Sequence, residues 1–155
     1  MRYSQYKYKF YLNANHSITL NDKMGQVHPH TWEIMIDIVK IIEEFVPFYV
    51  VEKTIDTILA PYQDKYINEI EPFNELNPTL ENISEYFKDC IEEQLKQEGW
   101  LLLRMEISET PARSYVIDAI YDSDNNGIND IYENVDEKII EEKLNGVKAS
   151  EVEEI

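Results

Sequence analysis

His28-Pro29-His30-Thr31-Trp32-Glu33-Ile34-Met35-Ile36-Asp37-Ile38 is the stretch on which the fold turns. His28, His30, Trp32, Ile34, Ile36 and Ile38 share one parity, with Glu33 and Asp37 on the other. Such alternation marks a half-buried strand, because residues i and i+2 point to the same face of a sheet. Upstream, Tyr6, Tyr8, Phe10, Leu12 and Ala14 alternate with Lys7, Lys9, Asn13 and Asn15, and His16 continues the apolar parity. Between the two runs, NDKMGQ (residues 21–26) has the composition of a loop. If the runs pair antiparallel, His16, His28 and His30 meet at the ends of two buried faces. Three neutral imidazoles that leave one position open form the ligand set of a catalytic zinc. The alternative is a set of ordinary polar positions near a hairpin. No other histidine occurs in the chain.

Downstream, the periodicity changes. Val51, Ile55, Ile58 and Leu59 are spaced for a helix over Val50 to Ala60, with Pro61 as its stop. Tyr62 to Leu76 is irregular. A second helix begins with Asn77 as cap, Pro78 at the first helical position and Glu81 in the first turn. Its apolar stripe is Ile83, Phe87, Ile91 and Leu95, and Gly99 ends it. Cys90, beside the stripe, reads as a small core residue rather than a reactive thiol. Two strands follow, Trp100 to Ser108 and Ser114 to Tyr121, joined through Glu109-Thr110-Pro111. The order ββααββ, with a hairpin at each end, predicts an α+β domain: a four-stranded antiparallel sheet with two helices on one face.

The 155 residues suffice for one domain with a substantial core, at 43% hydrophobic content. The net charge of −17, from 14 basic and 31 acidic residues, argues against nucleic acid or an anionic membrane as partner. No apolar run approaches the length of a membrane span or a signal peptide's core, and Cys90 has no second cysteine to pair with. A cytoplasmic protein is expected. The domain is read as residues 1–121. Residues 122–155 form an acidic extension in which Ile131, Val135, Ile139, Ile140 and Leu144 permit one amphipathic helix.

These elements carry a resemblance. Ala14-Asn15-His16, His28-Pro29-His30-Thr31-Trp32, Ile67-Asn68-Glu69, Asn77-Pro78-Thr79-Leu80-Glu81-Asn82 and Ser108-Glu109-Thr110-Pro111 are similar, in order and spacing, to motifs of the 6-pyruvoyl- and 6-carboxy-tetrahydropterin synthase family. The family's H-G-H stands here as H-P-H. The resemblance covers about Tyr6 to Tyr121 and implies a T-fold assembled as trimers and as hexamers made of paired trimers. It implies zinc on His16, His28 and His30, and recognition of the 2-amino-4-oxo edge of a pterin by Glu109. A carboxylate suits that edge because it accepts two parallel N–H bonds. Active sites between subunits would let residues near Thr79 complete a neighbour's pocket.

The chain departs from the family pattern at the proton-moving groups. The family's cysteine, four residues before the first histidine of H-x-H, aligns with Met24, and a thioether has no proton to give. The family's Asp-His pair aligns with Gln63 and Asp64. Two readings stay open. In one, the chain is a zinc-dependent lyase or synthase acting on a dihydropterin, with Asp64 (or Asp22) moving the proton. In the other, it is a catalytically silent zinc- and pterin-binding protein with a sensing or regulatory role.

A second metal motif lies in the tail. Residues 122–133, DSDNNGINDIYE, fit the calcium-loop pattern D-x-[DN]-x-[DN]-G-x5-E. Asp122, Asp124, Asn126, Asp130 and Glu133 would supply side-chain oxygens and Ile128 a carbonyl. The alternative is an acidic turn leading into the tail helix, since Asn129 replaces the usual apolar residue at the eighth position.

Overall fold

A computed structural model describes residues 5–42 and 44–119. The two histidine-bearing runs form the long strands β1 (Tyr6–His16) and β4 (His28–Lys40), paired antiparallel over the whole of β1 from Tyr6 opposite Ile38 to His16 opposite His28. Their apolar parity is inward: Phe10, Leu12, Trp32, Ile34, Ile36 and Ile38 are buried, while Lys9, Tyr11 and Asn13 are exposed.

The segment read as a loop between them contains a small hairpin, β2 (Thr19–Leu20) and β3 (Lys23–Met24). Asn21 and Asp22 both have positive φ, 50° and 60°, as the two central residues of a type I′ turn require. Asn and Asp tolerate that conformation because their short side chains bond locally.

Helix α1 (Phe48–Leu59) starts two residues earlier than the apolar spacing suggests, with Pro47 before it, and buries Val51, Ile55 and Leu59. Pro61 does stop the α-helix, but the chain tightens into a 3-10 turn over Ala60–Tyr62. Tyr62 to Leu76 holds a two-residue strand, β5 (Lys65–Tyr66), which pairs parallel with Ala14 and Asn15. The sheet therefore has five strands where four were expected. The four expected ones, β1, β4, β6 (Trp100–Thr110) and β7 (Arg113–Asp118), are antiparallel neighbours, and β5 extends the β1 edge in the order β5-β1-β4-β6-β7.

Helix α2 (Leu80–Gln97) lays Ile83, Phe87, Ile91 and Leu95 into the same core as α1 and the inner face of the sheet. The reading of its start needs correction. Thr79, not Asn77, is the cap: its hydroxyl accepts the Asn82 N–H at 3.2 Å. Asn77 instead braces the small hairpin, its amide exchanging two 2.9 Å bonds with the backbone of Thr19. Gly99 ends the helix with φ +80°, and an added Cβ would stand 2.5 Å from Ile42.

Two irregularities in β6 decide where its side chains point. Trp100 and Leu102 are buried on even numbers, but Met105, Ile107 and Glu109 are buried on odd ones. The parity changes because Asp37 pairs with Arg104 and Ile38 with Leu102, leaving Leu103 as an extra residue. A bulge of this kind inserts one residue and re-aims the side chains beyond it. The second lies against β7, where Ser108 pairs with Ser114 and Thr110 with Arg113, so Glu109 is itself the unpaired residue. The tail helix and the Asp122–Glu133 loop fall outside the described residues.

Thr79→Ala should lower stability by about 1 kcal/mol through loss of the cap. Equilibrium urea unfolding monitored by far-UV circular dichroism checks this against the wild type.

Candidate metal centre

The centre is built from the pairing of β1 and β4. His16 is directly opposite His28, and His30 is opposite Ala14, two residues along on the same face. The ring centroids stand 4.5 Å (His16–His28), 5.1 Å (His16–His30) and 4.8 Å (His28–His30) apart. The three ligand-capable atoms lie within 4.8 Å of one another, a grouping that could hold a metal ion. His16 is fully buried, and Trp32 packs edge-on against its ring at 4.9 Å. His28 and His30 are half-buried at the rim.

Backbone carbonyls set the tautomers. His16 Nδ1 lies 2.8 Å from the Pro78 carbonyl and His28 Nδ1 lies 2.9 Å from that of Gln26. A carbonyl only accepts, so both Nδ1 atoms carry the hydrogen and both neutral rings present a bare Nε2. These two Nε2 atoms face each other at 2.9 Å. Two nitrogen lone pairs at that distance repel unless a cation or proton lies between them. Burial lowers the pKa of His16, against an opposing effect from the Pro78 carbonyl, so the fold disfavours the protonated ring. The His30 pKa is lowered by burial too, with Glu109 opposing. Neutral imidazoles with Nδ1 on carbonyls and Nε2 converging are what a metal site asks of histidine, so the donor set fits an ion such as zinc.

Glu109 joins this group. It is 7% exposed, with Oε1 3.6 Å from His16 Nε2 and 3.5 Å from His30 Nε2. Its other oxygen accepts a 2.6 Å bond from the guanidinium of Arg113.

The supporting loops come from motifs noted in the sequence. Asn68 grips the residue after His16, accepting from Ser17 N–H at 2.9 Å and donating to the Ser17 carbonyl at 2.8 Å. Asn77, Pro78 and Thr79 respectively brace the hairpin, hold His16 and cap α2.

The remaining predicted site residues lie elsewhere. Thr79 adjoins the centre through Pro78, but its hydroxyl is spent on the cap. Asp64 sits in a turn with φ 58°, its N–H donating to the Asn13 carbonyl at 2.7 Å. It lines a shallow hollow of about 390 Å³ with Asn13, Asn15, Pro29, His30 and Thr31, most of them outward-facing residues. Met24 is 68% exposed on the hairpin. Arg113 was not anticipated, although an acid and a base flanking Thr110-Pro111-Ala112 was a usable signal. The carbonyls of Gln26 and Pro78 act through the backbone, which side-chain identity does not reveal.

Residues 5–119 match the family model for 6-pyruvoyl tetrahydropterin synthase. The chain belongs to this family. Solved structures of 6-pyruvoyl tetrahydropterin synthases share its fold. That from Caenorhabditis elegans superposes with a TM-score of 0.65 at 14% identity, covering 77% of this chain and 97% of the other. That from Plasmodium falciparum gives 0.52 at 11% identity over 74% and 97%. An uncharacterised protein from Wolinella succinogenes gives 0.56 at 11% identity over 75% and 98%. A sequence search of curated proteins finds no match. The synthase-family fold is thus an α+β T-fold with an antiparallel-rich sheet and two helices. Among its described residues, no helix is long and apolar enough to cross a membrane.

Purified protein is expected to carry stoichiometric metal, and His28→Ala to lose it while retaining the far-UV spectrum of a folded chain. Elemental analysis of the two proteins side by side checks both points.

Proposed function

We propose that this protein is a zinc-dependent lyase or synthase acting on the side chain of a dihydropterin. The observation that carries this reading is the pair of bare Nε2 atoms of His16 and His28 facing each other at 2.9 Å in a chain of the synthase family. His16, His28 and His30 would hold the zinc, which would supply Lewis acidity toward an oxygen of the substrate side chain. Glu109 would receive the 2-amino-4-oxo edge of the pterin, a role that the burial of its carboxylate supports. Asp64 would move the proton from the turn beside β1, and residues near Thr79 would complete the pocket of a neighbouring subunit. Both sheet edges favour assembly into a homo-oligomer, and the family resemblance makes it a hexamer formed from two trimers. β5 covers only Ala14 and Asn15 of the β1 edge, and β7 has one strand neighbour among the described residues.

A second reading is a catalytically silent protein that binds zinc and a pterin, and two observations favour it. Gln63, aligned with the family's proton-relay pair, spends its amide on β1: it accepts from Asn13 N–H at 3.0 Å and donates to the Tyr11 carbonyl at 2.7 Å. Met24, aligned with the family's cysteine, offers a thioether that transfers no proton.

Turnover of dihydroneopterin triphosphate by zinc-loaded protein, with a chelator control, separates the readings. Conversion supports the enzyme, whereas binding without conversion supports the silent protein. Met24→Cys is expected to create or raise conversion by restoring an ionisable thiol. Zero activity in the zinc-loaded variant would show that the thiol alone does not restore the reaction.

A further inference from the structure

The hollow beside His30 has a chemistry of its own. Its polar lining is Asn13, Asn15, Thr31, Asp64 and the His30 ring, and no lysine or arginine borders it among the described residues. We propose that this hollow receives an uncharged, hydroxyl-bearing side chain, so that the ligand of this protein is an unphosphorylated dihydropterin. That choice of ligand rests on the pterin reading given above.

The hydrogen-bonding groups suit hydroxyls. Thr31 donates its hydroxyl hydrogen to Asn13 Oδ1 at 2.7 Å, which leaves the Asn13 NH2 as a donor and the Thr31 oxygen as an acceptor. Asp64 adds a carboxylate that only accepts, in a turn tied to β1 by its N–H on the Asn13 carbonyl at 2.7 Å. A hydroxyl both donates and accepts, so a glycol or triol answers every one of these groups. An ionised phosphoryl oxygen brings no hydrogen for the carboxylate and sets a second negative charge beside it.

Charge decides more than space. At about 390 Å³ the hollow falls in the range that holds drug-sized ligands, so size alone does not exclude a phosphorylated chain. The cations around it are committed or outside. Arg113 is paired with Glu109 at 2.6 Å, and Lys65, next to Asp64, is exposed and not part of the lining. A bound ion would draw an anionic group to the metal itself, but further phosphates would extend among neutral and acidic groups. The segment expected to complete a neighbour's pocket repeats the pattern. Residues 66–87, on either side of Thr79, hold five glutamates and no lysine or arginine.

Fluorescence titration of zinc-loaded protein with neopterin and with neopterin triphosphate tests this. The two share one ring and one carbon side chain and differ only in phosphorylation. The expected result is a dissociation constant at least about tenfold lower for neopterin, with the gap shrinking as salt screens the repulsion. Asp64→Asn should narrow the gap by tightening the triphosphate, because asparagine tolerates the φ of 58° and carries no charge. If that variant does not fold, as circular dichroism will show, Asp64→Gly replaces it. Triphosphate that binds as tightly as neopterin overturns the proposed ligand and leaves the pterin reading standing. A gap that the folded Asp64 variant leaves unchanged overturns the hollow as its source. If neither compound binds, the pterin reading fails and the proposed ligand fails with it. Dihydroneopterin itself then belongs beside its triphosphate in the turnover assay.

Discussion

The register between β1 and β4 is the constraint on which everything else rests. A slip of one residue would turn every side chain of one strand to the opposite face. Phe10, Leu12, Trp32, Ile34 and Ile36 are all buried only in the observed pairing, so core packing strongly opposes such a slip. The same register sets His16 across from His28 and brings His30 alongside. The core therefore positions the metal centre: the free energy that buries isoleucines and a tryptophan also holds three imidazoles together.

Holding the imidazoles together is not enough to ready them for an ion, and loops from distant parts of the chain do the rest. The Pro78 carbonyl orients His16 and the Gln26 carbonyl orients His28. Each is fixed in turn: Asn77 and Thr79 pin the turn carrying Pro78, and the hairpin it braces leads into Gln26. Because Asn77 bonds Thr19 and Asn68 bonds Ser17, the turn before α2 and the turn after β5 converge on the residues after His16. The site is rigid because its supports are backbone groups tied to a cap, a turn and a hairpin.

Much of this was legible in the sequence because it depends on period. The alternating runs around His16 and His28, the Ile83–Leu95 stripe and the punctuation by Pro61 and Gly99 are all local signals, and each corresponds to an element of the fold. What escaped depends on register or competition. Asn77 and Thr79 are both good caps by type, and only the hairpin's claim on Asn77 decides between them. β5 is two residues long and exists because β1 offers an edge. The pairing of Glu109 with Arg113 depends on an unpaired residue that no alternation of polar and apolar side chains discloses.

The extra residue at Leu103 makes the far end of β6 depend on a single bulge. Loops absorb insertions and deletions, and strands usually transmit them as an exchange of faces. Here the inner face of β6 begins with Trp100 and Leu102 and ends with Ile107 and Glu109, two sets in opposite phase joined at one irregular step. Straightening that step with every residue kept, and with Trp100 and Leu102 still in the core, would send Glu109 to the solvent side and bring Ser108 inward. The strand's composition would not change, yet the chemistry at its end would be gone. A strand without Leu103 would run in regular alternation and still turn Met105, Ile107 and Glu109 inward, so the bulge is what lets the longer strand keep its acid beside the histidines.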